Sequence, residues 1–159
     1  ILKYTLKKTN EQVTLADECR IVESYLYLQK ARFGTRIKFI LDIDQAVLNY
    51  PVPSMILQPL VENAIKHGLE PMEEEGILEL YIKDMCTKIV IMVRDNGIGM
   101  PEERLTSIME NINDSDTNTN IGISNVMRRL ELMFGRNVAE IRSELGHGTE
   151  VAIILPKPH

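Results

Sequence analysis

Residues 95–100 combine one carboxylate with two glycines directly after an apolar stretch that reads as a strand. The strand pattern KIVIMVRD at 88–95 ends on Asp95, and Gly97 and Gly99 follow it. Glycine permits positive φ and lets another group approach the backbone closely. A hairpin turn also uses Asp-Asn-Gly, so this stretch alone does not identify a ligand site.

A second polar cluster falls on a predicted helix at 54–68, SMILQPLVENAIKHG. Asn63, Lys66 and His67 follow one another at i, i+3 and i+4, so they share one side of the helix. An amide oxygen suits Mg²⁺, which keeps several waters and takes phosphate oxygens, and a lysine ammonium reaches a phosphate as a point charge. His67 either hydrogen-bonds a phosphate or ends the helix before Gly68. A solvated helix face explains Asn63 or Lys66 taken alone.

Pro59 lies inside this predicted helix. There it would remove a backbone hydrogen bond at a cost of about 3 kcal/mol. A local rule broken beside a polar cluster is typical of a functional site.

Two further stretches contain glycines near element ends. In NTNIGISNV, Gly122 opens a predicted helix at 121–134. It follows a stretch at 111–120 that is polar apart from Ile112, and we expect this stretch to be mobile and to close over a ligand. Unpaired N–H groups at a helix N-terminus bind phosphate. In GHGTEVAIILP, Thr149 opens the last strand, where its hydroxyl would help the Asp95 carboxylate to recognise an adenine. A surface loop and a hairpin turn are the alternative explanations of these two stretches.

The composition limits the function classes. The 159 residues fit one domain, or one domain with a helical appendage, and 44% are apolar. The formal net charge of −5 argues against broad nucleic-acid binding. Two distant cysteines favour a reducing, cytosolic setting. No run has the length of a membrane span or a signal peptide, and the missing initiator Met indicates a piece of a longer protein.

The predicted elements alternate helices with strands. Thr14 and Asp17 approximate a capping box that begins a helix at 14–34, and Gly34 ends it. Prolines 51 and 53 break the chain before helix 54–68, and Pro101 opens a short helix. Strands are predicted at 36–43, 77–85, 88–95, 138–145 and 149–156. This order predicts an α+β fold: a two-layer α/β sandwich with a mixed sheet and helices on one face, preceded by an N-terminal helix.

The four stretches, in this order and spacing, resemble the ATP-binding domain of the GHKL superfamily (the Bergerat fold), specifically that of sensor histidine kinases. LVENAIKHG is similar to the N box, DNGIGM to the first G box, NIGISNV to the second, and GHGTEVAIILP to the end of the domain. SYLYLQKARFG followed by LQPLVENAIKHG most resembles the LytS-like subfamily. The resemblance implies that residues 1–34 end the helical dimerisation region and that residues 35–159 form the ATP-binding domain.

The resemblance also implies the site. Asn63 would bind Mg²⁺, Lys66 and the Gly122 region would hold the phosphates of ATP, and Asp95 would accept a hydrogen bond from the adenine amino group. The residues implied in binding are Asn63, Lys66, His67, Asp95, Gly97, Ile98, Gly99, Met100, Asn120, Ile121, Gly122, Ile123 and Thr149.

Two departures from the family pattern stand out. Asn120 occupies the place where the second G box usually begins with glycine. ATP-hydrolysing relatives carry a glutamate base four residues before the Mg²⁺ asparagine, where this chain has Pro59. Typical histidine kinases have another asparagine there. Glu62, next to Asn63, points about 100° away on a helix, so direct hydrolysis lacks its base.

The implied function is presentation of Mg-ATP to a histidine upstream of Ile1, with onward transfer to a response-regulator aspartate. The implied partners are the chain's own dimerisation helices or a second protomer, and a response regulator. The implied location is the cytosolic portion of a membrane-anchored sensor. The alternatives are an ATPase of the same superfamily, a non-catalytic nucleotide-binding or dimerisation module, and an anti-sigma-type serine kinase, against which the helix at 14–34 argues.

Overall fold

The computed structural model describes residues 12–111 and 121–157. Apart from Asn111, the polar stretch predicted to be a mobile lid lies outside the described residues, and so does Asn120. The elements are β1 (Gln12–Thr14), α1 (Leu15–Phe33), β2 (Ile37–Ile43), a 3₁₀ turn (Gln45–Val47), β3 (Pro51–Pro53), α2 (Leu57–Asn63), a π-helical segment (Ala64–Leu69), β4 (Gly76–Asp84), β5 (Lys88–Asp95), α3 (Glu102–Asn111), α4 (Ile121–Phe134), β6 (Ala139–Glu144) and β7 (Gly148–Pro156).

Five strands form the main sheet in the order β2-β4-β5-β7-β6. β2 pairs with β4 in parallel, and the other neighbours are antiparallel, so the sheet is mixed. This register places the end of β5 beside the start of β7, with Asp95 opposite Thr149. Two of the residues predicted to recognise a base are therefore cross-strand neighbours.

The helices cover one face of this sheet. Every second residue of the central strands is buried, as period-two alternation requires for a sheet with one covered face; examples are Leu80, Ile91 and Ile153. The opposite face carries charged residues, and Arg94 there pairs with Glu79 at 3.7 Å and with Glu150 at 3.2 Å. The predicted two-layer sandwich with a mixed sheet is confirmed.

The N-terminal helix α1 has both predicted end signals. The Thr14 hydroxyl accepts from the Asp17 N–H at 3.2 Å, and the Asp17 carboxylate accepts from the Thr14 N–H at 3.2 Å. Gly34 follows the helix with a φ of 58°. Tyr27 and Leu28 on its outer side are 77% and 65% exposed. No helix in the described ranges combines the length and apolarity that crossing a bilayer requires.

The predicted break at Pro51 and Pro53 is in fact a short strand. These residues form β3, which pairs antiparallel with β1 in a separate two-stranded sheet. Proline tolerates this position because a short strand of this kind has an unpaired side. On β2, Leu41 is 40% exposed.

The prediction that Pro59 interrupts a helix is wrong. The α-helix begins at Leu57, which places Pro59 in its first turn. The first four N–H groups of a helix have no intrahelical acceptor, so a proline there removes no hydrogen bond. Leu57, Leu60, Val61 and Ala64 share one face by helical spacing and are at most 5% exposed, so this face is buried.

Pro59→Ala is expected to leave the free energy of unfolding unchanged or to lower it by less than about 1 kcal/mol, since proline at a compatible position restricts the unfolded chain. Glu62→Pro, inside the same helix, is expected to cost about 3 kcal/mol. Urea unfolding of the two variants tests the helix start. A stability gain of about 3 kcal/mol in Pro59→Ala would show that the proline lies in a helix interior.

Candidate functional site

Asp95 is a buried carboxylate at the end of β5. Its side chain and backbone are together only 4% exposed, and its Oδ1 accepts from the Gly97 N–H at 2.8 Å. Burial raises the pKa of Asp95 from 3.8 to about 6, and hydrogen bonds from the Gly97 and Thr149 backbones limit the rise. Because the ionised form carries this cost, the stability that Asp95 contributes falls as pH rises from 3.8 to about 6. A ligand that donates a hydrogen bond to the carboxylate offsets that cost.

The Asp95 side chain lies against the end of the 57–69 helical segment. A Cβ added to Gly68 would be 2.6 Å from Asp95 Oδ1. A Cβ added to Gly97 would be 2.2 Å from the Gly68 carbonyl oxygen, and that oxygen accepts from the Ile98 N–H at 3.0 Å. Neither glycine has positive φ. Gly97 is required because its backbone meets that of Gly68, and Gly68 is required because the Asp95 carboxylate occupies the space of a side chain there. Gly68 was quoted in the N-box stretch but was not predicted as a site residue.

The rest of the first G box is tied to the β6–β7 hairpin. Gly99 has a φ of 72°, and its Cβ would be 2.0 Å from the Glu144 carbonyl oxygen. The N–H of Met100, a buried residue, donates to Ser143 Oγ at 2.9 Å. Ile98 is 40% exposed at the surface of this loop. The loop after β5 is therefore held at two places, by the 57–69 helical segment and by the β6–β7 hairpin.

Ser143 is a residue that the sequence analysis missed. Its hydroxyl lies 2.8 Å from Thr149 Oγ1 and donates to the Gly148 carbonyl oxygen at 3.0 Å. It also receives the Met100 N–H. Ser143 and Thr149 are register partners on adjacent strands. Only the pairing of β6 with β7 reveals this contact, and it orients the Thr149 hydroxyl beside Asp95.

Three cationic or polar side chains of the candidate site lie along the 57–69 helical segment. Asn63, the last residue of α2, is half-buried, and Lys66 and His67 are exposed on the π-helical segment that follows. Burial lowers the pKa of His67, and the positive charges of Arg104 and Lys66 add to this effect. The His67 imidazole is therefore neutral near pH 7, and it donates or accepts a hydrogen bond without adding charge.

Arg104, on α3, is a second residue that the sequence did not single out. Its charge acts on His67, and its Nε atom is inaccessible to solvent and has no hydrogen-bond partner within the part of the chain that the structure describes. With Lys66 it makes the surroundings of His67 cationic. Cationic side chains beside an amide oxygen suit a polyphosphate and its metal ion.

The start of α4 lies close to the first turn of α2. A Cβ on Gly122 would be 4.0 Å from the Cβ of Pro59. Pro59 and Asn63 are four residues apart, so they share a face of α2. Gly122 is exposed, and Ile123 is buried at 2% exposure. Ile121 is the first residue of the helix. Three of the four predicted stretches thus meet along the 57–69 helical segment. Asn120, which was also predicted to contact the nucleotide, lies outside the described residues.

Pro59 and Gly68 are nine residues apart along the 57–69 helical segment. The Asp95 carboxylate lies against the Gly68 end of this segment, next to Lys66 and His67, while the Gly122 amide lies near Pro59 at its start and Asn63 lies between. This arrangement fits an adenine nucleotide with an extended phosphate chain. No group of three or more His, Cys, Asp or Glu side chains in the described ranges is placed to hold a metal ion. A Mg²⁺ ion on Asn63 would therefore take its other ligands from phosphates and water.

A cavity of about 620 Å³ opens at the Asp95 end of the sheet. Its lining includes Asp95 and Thr149, and also Glu79 and Arg94 of the helix-free face. Its described lining does not include Asn63. The cavity alone therefore does not join the two ends of the site; the 57–69 helical segment joins them.

Gly68→Ala is expected to weaken binding of adenine nucleotides at least about tenfold, because a methyl group would displace the Asp95 carboxylate from its place. Gly34→Ala is the control, since its φ of 58° strains the backbone but nothing lies within 4 Å of the added carbon. Calorimetric titration with ATP measures both variants. Equal losses in the two would show that the effect is general destabilisation.

Comparison with protein families agrees with this geometry. Residues 52–159 match the family described as "Histidine kinase-, DNA gyrase B-, and HSP90-like ATPase", and residues 1–37 match the family described as "Histidine kinase". The first match spans more than half of the chain, and membership of that family implies ATP binding.

The curated relatives are sensor kinases. The chain is 34% identical over 157 residues to the sensor histidine kinase YpdA of Escherichia coli and, over the same length, to the sensor histidine kinase YesM of Bacillus subtilis. It is 33% identical over 147 residues to the sensor protein LytS of Staphylococcus haemolyticus. These alignments cover 98%, 98% and 92% of the chain but only 26%, 26% and 25% of the relatives, so the chain spans about a quarter of their length.

Solved structures show the same fold. The histidine kinase domain of the blue-light activated histidine kinase of Erythrobacter litoralis superimposes with a TM-score of 0.64 at 22% identity, over 94% of this chain and 64% of that one. The catalytic domain of histidine kinase ThkA superimposes with a TM-score of 0.61 at 24% identity, over 92% of this chain and 95% of that one. The fold, the arrangement of the four stretches and the family match agree: this chain belongs to the histidine kinase-, DNA gyrase B- and HSP90-like ATPase family, in the branch of the sensor histidine kinases.

Proposed function

We propose that this chain is the ATP-binding catalytic portion of a two-component sensor histidine kinase, which presents the γ-phosphate of Mg-ATP to a histidine outside this chain. The observation that carries the proposal is the contact of buried Asp95 with Gly68, since it connects a base-reading carboxylate to the helical segment that bears Asn63. The proposed division is the end of the dimerisation region at 1–34 and the ATP-binding domain at 35–159.

The residues have separate tasks in this proposal. Asp95 accepts a hydrogen bond from the adenine amino group, with the Thr149 hydroxyl beside it. Asn63 is the metal ligand, and Lys66 and His67 contact the phosphates. When bound, Mg²⁺ neutralises charge on the phosphate oxygens. The backbone at Gly122 completes phosphate binding at the start of α4, where helix N–H groups are unpaired.

A chain that only positions ATP suffices for phosphoryl transfer when another element brings the nucleophile. The reaction depends mainly on positioning and on charge stabilisation, with little covalent chemistry for the protein. None of the three histidines fits the acceptor role. His67 is in the site, His147 lies in the turn between β6 and β7, and His159 is the final residue of the sequence. We place the acceptor on the dimerisation helix that precedes residues 1–34, and the next acceptor on a response-regulator aspartate.

An ATPase of the same family is the second candidate, and the surroundings of Glu62 argue against it. The Glu62 carboxylate accepts from Gln58 Nε2 at 2.9 Å on its own helix. Burial raises the pKa of Tyr25 on α1, and the nearby Glu62 charge raises it further. Glu62 therefore faces α1, one residue round the helix from Asn63, and is not placed to activate water beside the metal ligand.

The names of the relatives support the remaining parts of the proposal. Proteins called sensor kinases, four times longer than this chain, have room for a sensing region and for both dimerisation helices. We propose that this chain is the cytosolic part of such a protein, that it works as a dimer through its own helices, and that it reaches a membrane only through segments outside the present sequence.

The test is calorimetric titration with Mg-ATP, combined with radiolabel transfer. The wild type is expected to bind, and Asp95→Asn to bind about 10- to 100-fold more weakly, because the asparagine NH₂ group faces the adenine amino group. Asp42→Asn, an exposed aspartate on β2, is the matched control and should bind like the wild type. Equal heats from the wild type and Asp95→Asn would favour a non-catalytic module.

Radiolabelled ATP distinguishes the two enzymatic candidates. The chain alone should acquire no stable label, and a longer version that carries the upstream helix should acquire label on histidine, which is lost in acid. Glu62→Gln should leave both results unchanged. Phosphate release by the chain that Glu62→Gln abolishes would establish the ATPase instead.

A further inference from the structure

Glu18 of α1 is a buried carboxylate that the proposed chemistry does not use. It is 2% exposed. Its Oε2 accepts from the Met55 N–H at 3.0 Å, and its Oε1 accepts from the N–H groups of Ile56 at 2.7 Å and Leu57 at 3.1 Å. These amides lie where α2 begins, and Ile56, the residue at the N-cap, provides no side-chain cap of its own. A residue 37 to 39 positions earlier in the chain therefore caps α2.

Arg129 of α4 holds the same loop from the carbonyl side. Its guanidinium donates to the Met55 carbonyl oxygen at 3.2 Å and to the Ser54 carbonyl oxygen. Burial lowers the pKa of Arg129, and the negative charge of Glu18 opposes that shift. Met55 between them has a φ of 59°, which is unusual for a residue with a side chain. The surrounding contacts thus fix a conformation that the loop would not adopt alone.

We propose that Glu18 and Arg129 are positioning residues for the metal-binding end of the site. They fix the position of α2, and so of Asn63, relative to α1. A displacement of α1 would therefore move Asn63 through these contacts. This inference rests on the proposed function, because it assumes that Asn63 is a metal ligand. It goes further in naming the route from the N-terminal helix to the nucleotide.

The two ends of the site differ in how they depend on this contact. Asn63 lies on the same short α-helix as the capped amides, less than two turns from Leu57. Asp95 belongs to the sheet and is held by Gly97 and Gly68. Gly68 lies in the π-helical segment at 64–69, four residues beyond the start of that segment, and not in α2. Wide turns of this kind interrupt a helix and are frequent at functional sites. A shift of α2 therefore moves the metal end and leaves the base end in place.

Substitution of Glu18 or Arg129 removes hydrogen bonds from the backbone groups at the start of α2. In Glu18→Gln one side-chain oxygen remains for the Ile56 and Leu57 amides, but an NH₂ group faces the Met55 N–H. Arg129 then also loses the favourable electrostatic interaction with the Glu18 carboxylate, and this loss lowers stability. Lower stability alone would be expected of any buried structural contact. The readout must therefore separate the metal end of the site from the base end.

The experiment measures binding of adenosine, and binding of ATP with and without Mg²⁺, to the whole chain. Adenosine reports the Asp95 end, and the gain in ATP affinity on adding Mg²⁺ reports the Asn63 end. Glu18→Gln is expected to reduce the Mg²⁺ gain about tenfold, as for loss of one hydrogen bond to a charged group, and to leave adenosine affinity within about twofold. Glu23→Gln, an exposed glutamate on the same helix, is the matched control and should match the wild type.

Arg129→Lys provides a second variant if Glu18→Gln does not fold. Lysine keeps the charge but cannot reach both carbonyls with a planar fork, so the Mg²⁺ gain should fall while adenosine binding persists; Arg128→Lys is its control. An unchanged Mg²⁺ gain in a folded variant, or parallel losses of adenosine and Mg-ATP affinity, would overturn the inference. A wild type that binds neither adenosine nor ATP would instead overturn the proposed function, and this inference with it.

Discussion

The close contact between the Gly68 and Gly97 backbones is the constraint on which the candidate site depends. A Cβ on Gly97 would lie within 2.6 Å of three backbone atoms of Gly68, so no larger residue fits there. The contact brings the end of the helical segment against the loop that follows β5, and it encloses the Asp95 carboxylate. The resulting burial raises the pKa of Asp95, so the carboxylate is costly to ionise until a ligand donates to it.

The 57–69 helical segment connects this constraint to the rest of the protein. Its far end is held by Glu18 of α1 and lies beside α4 near Gly122, and its near end lies against the sheet. Asn63 lies between the two ends, immediately before the π-helical segment. A single helical segment therefore contacts every element that the proposed function requires, including the N-terminal helix. Under the proposed function, this arrangement would let the nucleotide site respond to the N-terminal helix.

Elements with strong local signals were predictable from the sequence. Alternating apolar residues identified the strands, Thr14 and Asp17 identified the start of α1, and the buried face of α2 followed from helical spacing. The site stretches were predictable because glycine and aspartate at that spacing resemble a known family. The start of α2 was not predictable, since Glu18 caps it from another helix and Met55 adopts positive φ. The error at Pro59 followed from that.

Long-range pairing explains the other omissions. β1 and β3 are three residues each and exist as strands only because they pair with one another. Ser143 touches Thr149 through the register of β6 with β7, and Arg104 comes near His67 through the packing of α3. The π-helical turn depends on the Glu70 N–H donating to the Ile65 carbonyl oxygen at 2.7 Å, a bond that has no sequence signature. Gly68 stood in a stretch that the sequence analysis quoted, but its contact with Asp95 Oδ1 could not be predicted from the sequence.

The most direct measurement is an NMR titration of the Asp95 carboxyl carbon, with and without saturating adenosine. The account predicts a pKa of about 6 in the free protein. It predicts a clear decrease when adenosine binds, since donation by the adenine amino group favours the ionised carboxylate. By linkage, adenosine affinity must then fall as the pH drops below 6. A free-protein pKa near the ordinary 3.8, or a pKa that adenosine leaves unchanged or raises, would contradict the claim that Asp95 recognises the base.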